Sequence, residues 1–133
     1  MSADRATYVD SSALVKLAVR EPESAALRRY LGRRRPLVSS ALARTEVVRA
    51  LVPLGSEVVQ RGREVLARVD LLRLTNRVLD SAGLLTPPDL RSLDAIHLAS
   101  AEQLGSDLRS FVTYDERLAS AARSRGLRVV RPS

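Results

Sequence analysis

No cysteine occurs in the 133 residues, which excludes disulfides and thiolate metal ligands and makes a reducing compartment the simple expectation. Aromatics are scarce at 3%: Tyr8, Tyr30, Tyr114 and Phe111. A stacking platform for single-stranded bases is therefore not expected. No apolar run approaches the roughly 20 residues that cross a bilayer. No basic start followed by an apolar stretch marks a signal peptide, so a cytoplasmic protein without membrane contact is expected. Histidine occurs once, at His97, and lysine once, at Lys16.

The other cations are arginines. Lys+Arg total 22 against 15 Asp+Glu, a formal net charge of +7. Arginine suits bidentate phosphate contact, and a basic domain can attract nucleic acid or an acidic protein through its long-range field. Arg33-Arg34-Arg35 reads as a basic loop, either simply solvated or in contact with phosphate. The length fits one domain spanning 1–133, large enough to bury a core without staples.

Short β-prone runs alternate with helical stretches along the chain. Thr7-Tyr8-Val9 meets Asp10-Ser11-Ser12 and a helix to about Val19. Pro22 opens a second helix, which Gly32 stops. Leu37 to Ser40 is a strand, and Ala41 to Leu51 a helix that Pro53 and Gly55 break. Ser56 caps another helix, and Leu71 to Leu74 is a short strand. Thr75 caps a helix to about Leu85. Ser92 caps one ending near Gly105. Ser110 to Tyr114 and Leu127 to Val130 are strands around a helix from Glu116 to Arg125. This alternation predicts α/β architecture, with a mostly parallel sheet between helical layers.

Ligands of open parallel sheets bind just beyond the carboxyl ends of strands. Asp10 and Asp115 each follow a strand and precede a helix. Asp94 falls in the first turn of its helix, and Glu46 lies inside the helix after the second strand. Each has a plain alternative: helix caps for Asp10 and Asp115, dipole complementation for Asp94, an exposed acid for Glu46. Together they read differently. At about 4 Å and an effective dielectric near 20, each like-charge pair costs about 4 kcal/mol, so a cluster of four calls for a cation. Hard divalent ions prefer oxygen ligands and can activate water against a phosphodiester.

These segments also resemble a known family. Tyr8 to Lys16, Glu46, Ser92-Leu93-Asp94-Ala95-Ile96-His97-Leu98-Ala99 and Phe111-Val112-Thr113-Tyr114-Asp115-Glu116-Arg117-Leu118 look like PIN-domain ribonucleases, and more closely like VapC toxins of toxin–antitoxin pairs. The resemblance implies a three-layer α/β/α PIN-like fold, dependence on Mg²⁺ or Mn²⁺, and endonucleolytic cleavage of RNA (tRNA, rRNA or mRNA) that arrests translation and growth. It also implies a homodimer neutralised by a VapB-type antitoxin. Asp10, Glu46, Asp94 and Asp115 match the family's acidic quartet of catalytic metal ligands, and Ser12 matches a hydroxyl that helps hold Asp10 or the substrate.

His97, between Ile96 and Leu98, is expected in the core. Asp89 beside Pro88 is expected in a turn. Arg44, Arg91 and Arg117 lie near quartet members and are candidates for phosphate contact. The helices around Val58 to Leu66 are a candidate dimer surface. Two rival readings stay open. A phospho-aspartyl enzyme is disfavoured: one type wants Asp-x-Asp where this chain has Asp10-Ser11-Ser12, and another wants a later lysine. A non-catalytic module binding nucleic acid or antitoxin would use the arginines and no metal.

Overall fold

A computed structural model of the chain describes residues 5–133. Five strands form one sheet: β1 (Ala6–Val9), β2 (Leu37–Ser40), β3 (Asp70–Leu72), β4 (Leu108–Val112) and β5 (Val129–Val130). Their order is β3-β2-β1-β4-β5, and every pairing is parallel. From β1 the chain builds outward through β2 to β3, then returns across the sheet to β4. The order thus reverses between β1 and β4, and that reversal opens a crevice at their carboxyl ends.

The strands sort their side chains by period two. Val9, Leu37 and Val112 join one buried cluster. It is filled by α1 (Ser11–Ala18), α2 (Ser24–Gly32), α3 (Ala43–Leu51) and α4 (Ser56–Leu66). Ala6, Tyr8, Val38, Leu108 and Phe111 join the other, with Leu98 of α6 (Ser92–Glu102) and Leu118, Ala121 and Ala122 of α7 (Glu116–Ser124). A smaller cluster seats Val78 and Ala82 of α5 (Asn76–Gly83) on Ala95 and Ala99 of α6. The result is the expected three layers.

Several boundaries differ from the sequence reading. Pro22 lies in a turn, and α2 starts at Ser24, whose hydroxyl accepts from the Glu21 N–H and bonds the Lys16 carbonyl. Ser56 and Ser92 are first helical residues, not caps: Gly55 precedes α4 and Arg91 precedes α6, neither with a side-chain cap bond. Gly55 holds φ at 105°, where a side chain would strain the turn. β3 begins one residue early, at Asp70, and β4 runs from Leu108 only to Val112. Thr75 does cap α5, accepting from the Val78 N–H at 3.1 Å.

Candidate active site

Asp10 leaves β1 into α1 at the sheet's switch point and is 3% exposed. Its backbone N–H donates to the Val112 carbonyl, tying it to β4. Oδ1 accepts from the Ser12 hydroxyl at 2.7 Å and the Ala13 N–H at 3.0 Å. Oδ2 accepts from the Thr113 hydroxyl at 2.5 Å. Burial raises this carboxyl above its usual range, against the pull of those donors. Asp10 is therefore both the cap of α1 and a carboxylate fixed in place. Ser12 also accepts from the Tyr114 N–H at 3.0 Å, bridging β1's end to β4's.

Asp115 caps α7 through the Leu118 N–H at 2.9 Å, and its own N–H donates to Thr113 Oγ1 at 3.0 Å. Thr113 thus holds two of the acids. In the sequence Thr113 reads as a strand residue, but it lies one past the end of β4, and its position two residues before Asp115 is the signal of its role.

Asp94, in the first turn of α6, is half-buried. Its carboxyl is raised, first by burial and then by the charges of Asp115 and Asp10; His97 and Arg91 pull the other way. The three aspartates therefore share one electrostatic neighbourhood.

Glu46 belongs to a different local network. Its Oε1 accepts from Ser11 Oγ and His97 Nε2, each at 2.6 Å. Tyr8 O–H lies 2.8 Å from His97 Nδ1. The imidazole thus bridges the two, with Nε2 facing the carboxylate and Nδ1 the phenol. Burial, foremost, raises the Tyr8 phenol, so it remains a protonated donor. Burial pushes the Glu46 carboxyl up, but the bonds from His97 and Ser11 outweigh it and leave it below its ordinary value. His97 is buried as expected, yet it is a polar bridge as well as a core residue. Ser11 and the His97 bridge were not visible in sequence, because the partners lie 35 to 89 residues apart.

Arg91 and Arg117 line the same cleft as Asp94, about 690 Å³ in volume, together with Asp89 and Glu116. Asp89 therefore faces the site rather than serving only its turn. Arg44 lines a separate cavity with Arg49 and Arg63, one that none of the aspartates lines. Arg33-Arg34-Arg35 precedes β2, at the sheet's opposite edge.

Among the described residues, no three His, Cys, Asp or Glu side chains form a ready-made metal cage. The donor set nonetheless suits a hard cation. Asp10 and Asp94 offer only oxygen, and the only imidazole is turned to Glu46 and Tyr8. Mg²⁺ commonly takes one or two carboxylates and keeps several waters. An ion here would also offset the repulsion that raises Asp94.

Comparisons with known proteins agree with this architecture. The PIN domain profile matches residues 7–124. Ribonuclease VapC46 of Mycobacterium tuberculosis (strain H37Rv) is 60% identical over 128 residues, covering 96% of this chain and 98% of its own. Ribonuclease VapC47 of M. tuberculosis (strain CDC 1551) is 42% identical over 130 residues, covering 94% and 96%. The crystal structure of M. tuberculosis VapC20, described as a sarcin-ricin loop cleaving toxin, superposes with a TM-score of 0.75 at 18% identity. That match covers 95% of this chain and 99% of the other. Among the described residues, no helix is long and apolar enough to cross a membrane.

Proposed function

The chain belongs to the PIN-domain family, among the VapC ribonucleases, and we propose that it is a Mg²⁺-dependent endoribonuclease, with Mn²⁺ able to substitute, acting as the toxic half of a toxin–antitoxin pair. The observation that carries this reading is the switch-point crevice, where Asp10 is held by Ser12, Ala13 and Thr113 and Asp94, in the first turn of α6, lies within range of the charges of Asp10 and Asp115. Carboxylates brought this close to one another are the kind of oxygen donors that a hard divalent ion would stabilise. Asp10 and Asp94 would hold the ion. Asp115 would complete the charge, directly or through water. Glu46 would act from its seat on His97.

When bound, the ion supplies positive charge that polarises the scissile phosphate and acidifies water. The chain's own groups do the rest. Thr113, Ser12 and the Ala13 N–H fix the Asp10 carboxylate, so little reorganisation is needed. Arg91 and Arg117, on the cleft beside Asp94, would take the flanking phosphates. Ser11 and Ser12 each donate to a carboxylate, and no side-chain nucleophile or covalent intermediate is invoked. The substrate would be cellular RNA, whether tRNA, rRNA or mRNA, with cleavage inhibiting translation and growth. The partners would be a VapB-type antitoxin and a second copy of the chain.

Asp10→Asn and Asp94→Asn test the reading. Each should abolish RNA cleavage and growth arrest, and weaken Mn²⁺ binding by calorimetry, while circular dichroism shows a folded chain. Full cleavage by a folded Asp10→Asn/Asp94→Asn double variant in EDTA would overturn it. Wild-type protein that binds no Mn²⁺ but retains RNA would instead favour the non-catalytic module.

A further inference from the structure

All five strands are parallel, so their starts share one edge of the sheet, opposite the acids. An arginine stands at each start. Across the sheet from β3 to β5 they are Arg68, Arg35, Arg5, Arg109 and Arg128. Neighbouring strands lie about 4.8 Å apart, so this row extends about 19 Å. Arg28, Arg35 and Arg68 rim one cavity of about 260 Å³. Arg28, Arg29, Arg33 and Arg34 rim a second, more open one.

The ordinary role of such arginines is to satisfy the chain's own carbonyls at helix ends and strand starts. Some do so here. Arg34 donates to the Tyr30 carbonyl and stacks on its ring, 4.0 Å from the centroid. Arg5 donates to the Leu108 carbonyl and Arg109 to Thr7 Oγ1, each with one nitrogen. A guanidinium has five N–H donors, so most stay available. Arg35, Arg68 and Arg128 are exposed and take no part in the ion pairs formed among the described residues. Asp70 and Asp107, the acids beside β3 and β4, form none either. Among the described residues, Asp70 and Asp107 offset part of the charge of this edge, and the arginines outnumber them.

We infer that the strand-start edge, with its row of arginines, is a second RNA-binding surface that holds the phosphate backbone remote from the acidic site. A regular file of planar, bidentate donors matches a regularly spaced polyanion. The scarcity of aromatics fits backbone contact without base stacking, and so binding without sequence preference. The two edges then divide the work. The arginine edge gathers RNA, and the acidic edge, which repels phosphate until a cation is present, handles it. The inference rests on the nuclease reading only for the choice of RNA as the polyanion.

The test is fluorescence anisotropy of the full chain with a labelled single-stranded RNA of about 30 nucleotides, in EDTA, across a salt titration. Arg35→Gln/Arg68→Gln/Arg128→Gln keeps the side-chain stems. If three phosphate contacts are lost, the slope of log affinity against log salt should shrink by about 2, from about 0.7 per contact. Affinity at low salt should fall at least tenfold, and the lysine triple variant at the same positions should restore the slope. Mn²⁺ calorimetry on the glutamine variant should match wild type. An unchanged slope in a folded glutamine variant would overturn the inference. So would displacement of RNA by poly-glutamate at lower charge concentration than unlabelled RNA, which would assign the edge to an acidic protein. Absence of Mn²⁺ binding in both proteins would defeat the nuclease reading while leaving this edge to be judged by its slope.

Discussion

Replacing Asp94 by asparagine should make the metal-free protein more stable. Burial, then Asp115 and Asp10, raise the Asp94 carboxyl above its ordinary value of 3.8. A carboxyl so raised binds more protons folded than unfolded between 3.8 and its folded value. Its contribution to stability is full below 3.8 and is lost as pH rises through the folded pKa. At neutral pH the ionised side chain is thus a net cost. Because Asp94 is only half-buried, solvent screens it, and each like-charge pair is reduced to the surface scale of up to about 1 kcal/mol. Two such pairs, partly offset by His97 and Arg91, leave a relief of about 1 kcal/mol. For 133 residues that is about 3–5 °C in unfolding midpoint. Thermal unfolding in EDTA from pH 4 to 8 reads it, and the variant's advantage should close as pH falls toward 4. Saturating Mn²⁺ should reverse the order, since an ion at 100 times its Kd stabilises the native chain by about 2.7 kcal/mol. A variant less stable than wild type in EDTA at pH 7, or a gap unchanged between pH 4 and 7, would refute the electrostatic reasoning. Equal Mn²⁺ stabilisation of both proteins would remove Asp94 from the ligand set.

Other substitutions probe the supports of the site. Thr113→Val keeps the volume but removes the donor to Asp10 and the acceptor for the Asp115 N–H; urea unfolding should show a loss of about 1.5–3 kcal/mol. The same variant should raise the Asp10 carboxyl further, so its deficit should shrink in acid, where that group is protonated in both states. His97→Ala removes the bridge between Tyr8 and Glu46 and leaves a buried void; a loss of about 3 kcal/mol is expected, with Glu46 moving up toward its ordinary pKa by NMR titration. Gly62→Ala would drive a methyl toward Leu51 Cδ1 where α4 crosses α3; an overpacking cost of about 1–3 kcal/mol against about 1 kcal/mol of helix propensity gained should leave a net loss of up to about 2 kcal/mol, with Mn²⁺ affinity unchanged.

The order of elements was legible because each level of the chain agrees with the next. Thr7-Tyr8-Val9 and Leu37-Val38 are β-prone, Gly32 and Gly55 punctuate, and the apolar stripes of α3 and α6 carry helical spacing. Errors fell at edges, where competing partners decide. Ser24 outcompeted Pro22 because its hydroxyl could satisfy the turn's backbone. Ser92 lost the cap position to Arg91, so the first turn of α6 starts without a side-chain acceptor.

Local sequence determined that Asp10 and Asp115 would follow strands and cap helices, since a carboxylate after a β-prone run and before an apolar stripe has few other places to go. It also determined a surplus of arginine. Only the tertiary structure decided what those charges meet. The strand order brought β4 beside β1 and so placed Asp115 and Asp10 within range of Asp94. Parallel pairing gathered arginines from the starts of five strands onto one edge. Packing of α6 on the sheet aimed His97 between Tyr8 and Glu46. Such pairings join residues tens of positions apart, and no periodicity in the chain encodes them; they follow from which surfaces bury each other once the layers close.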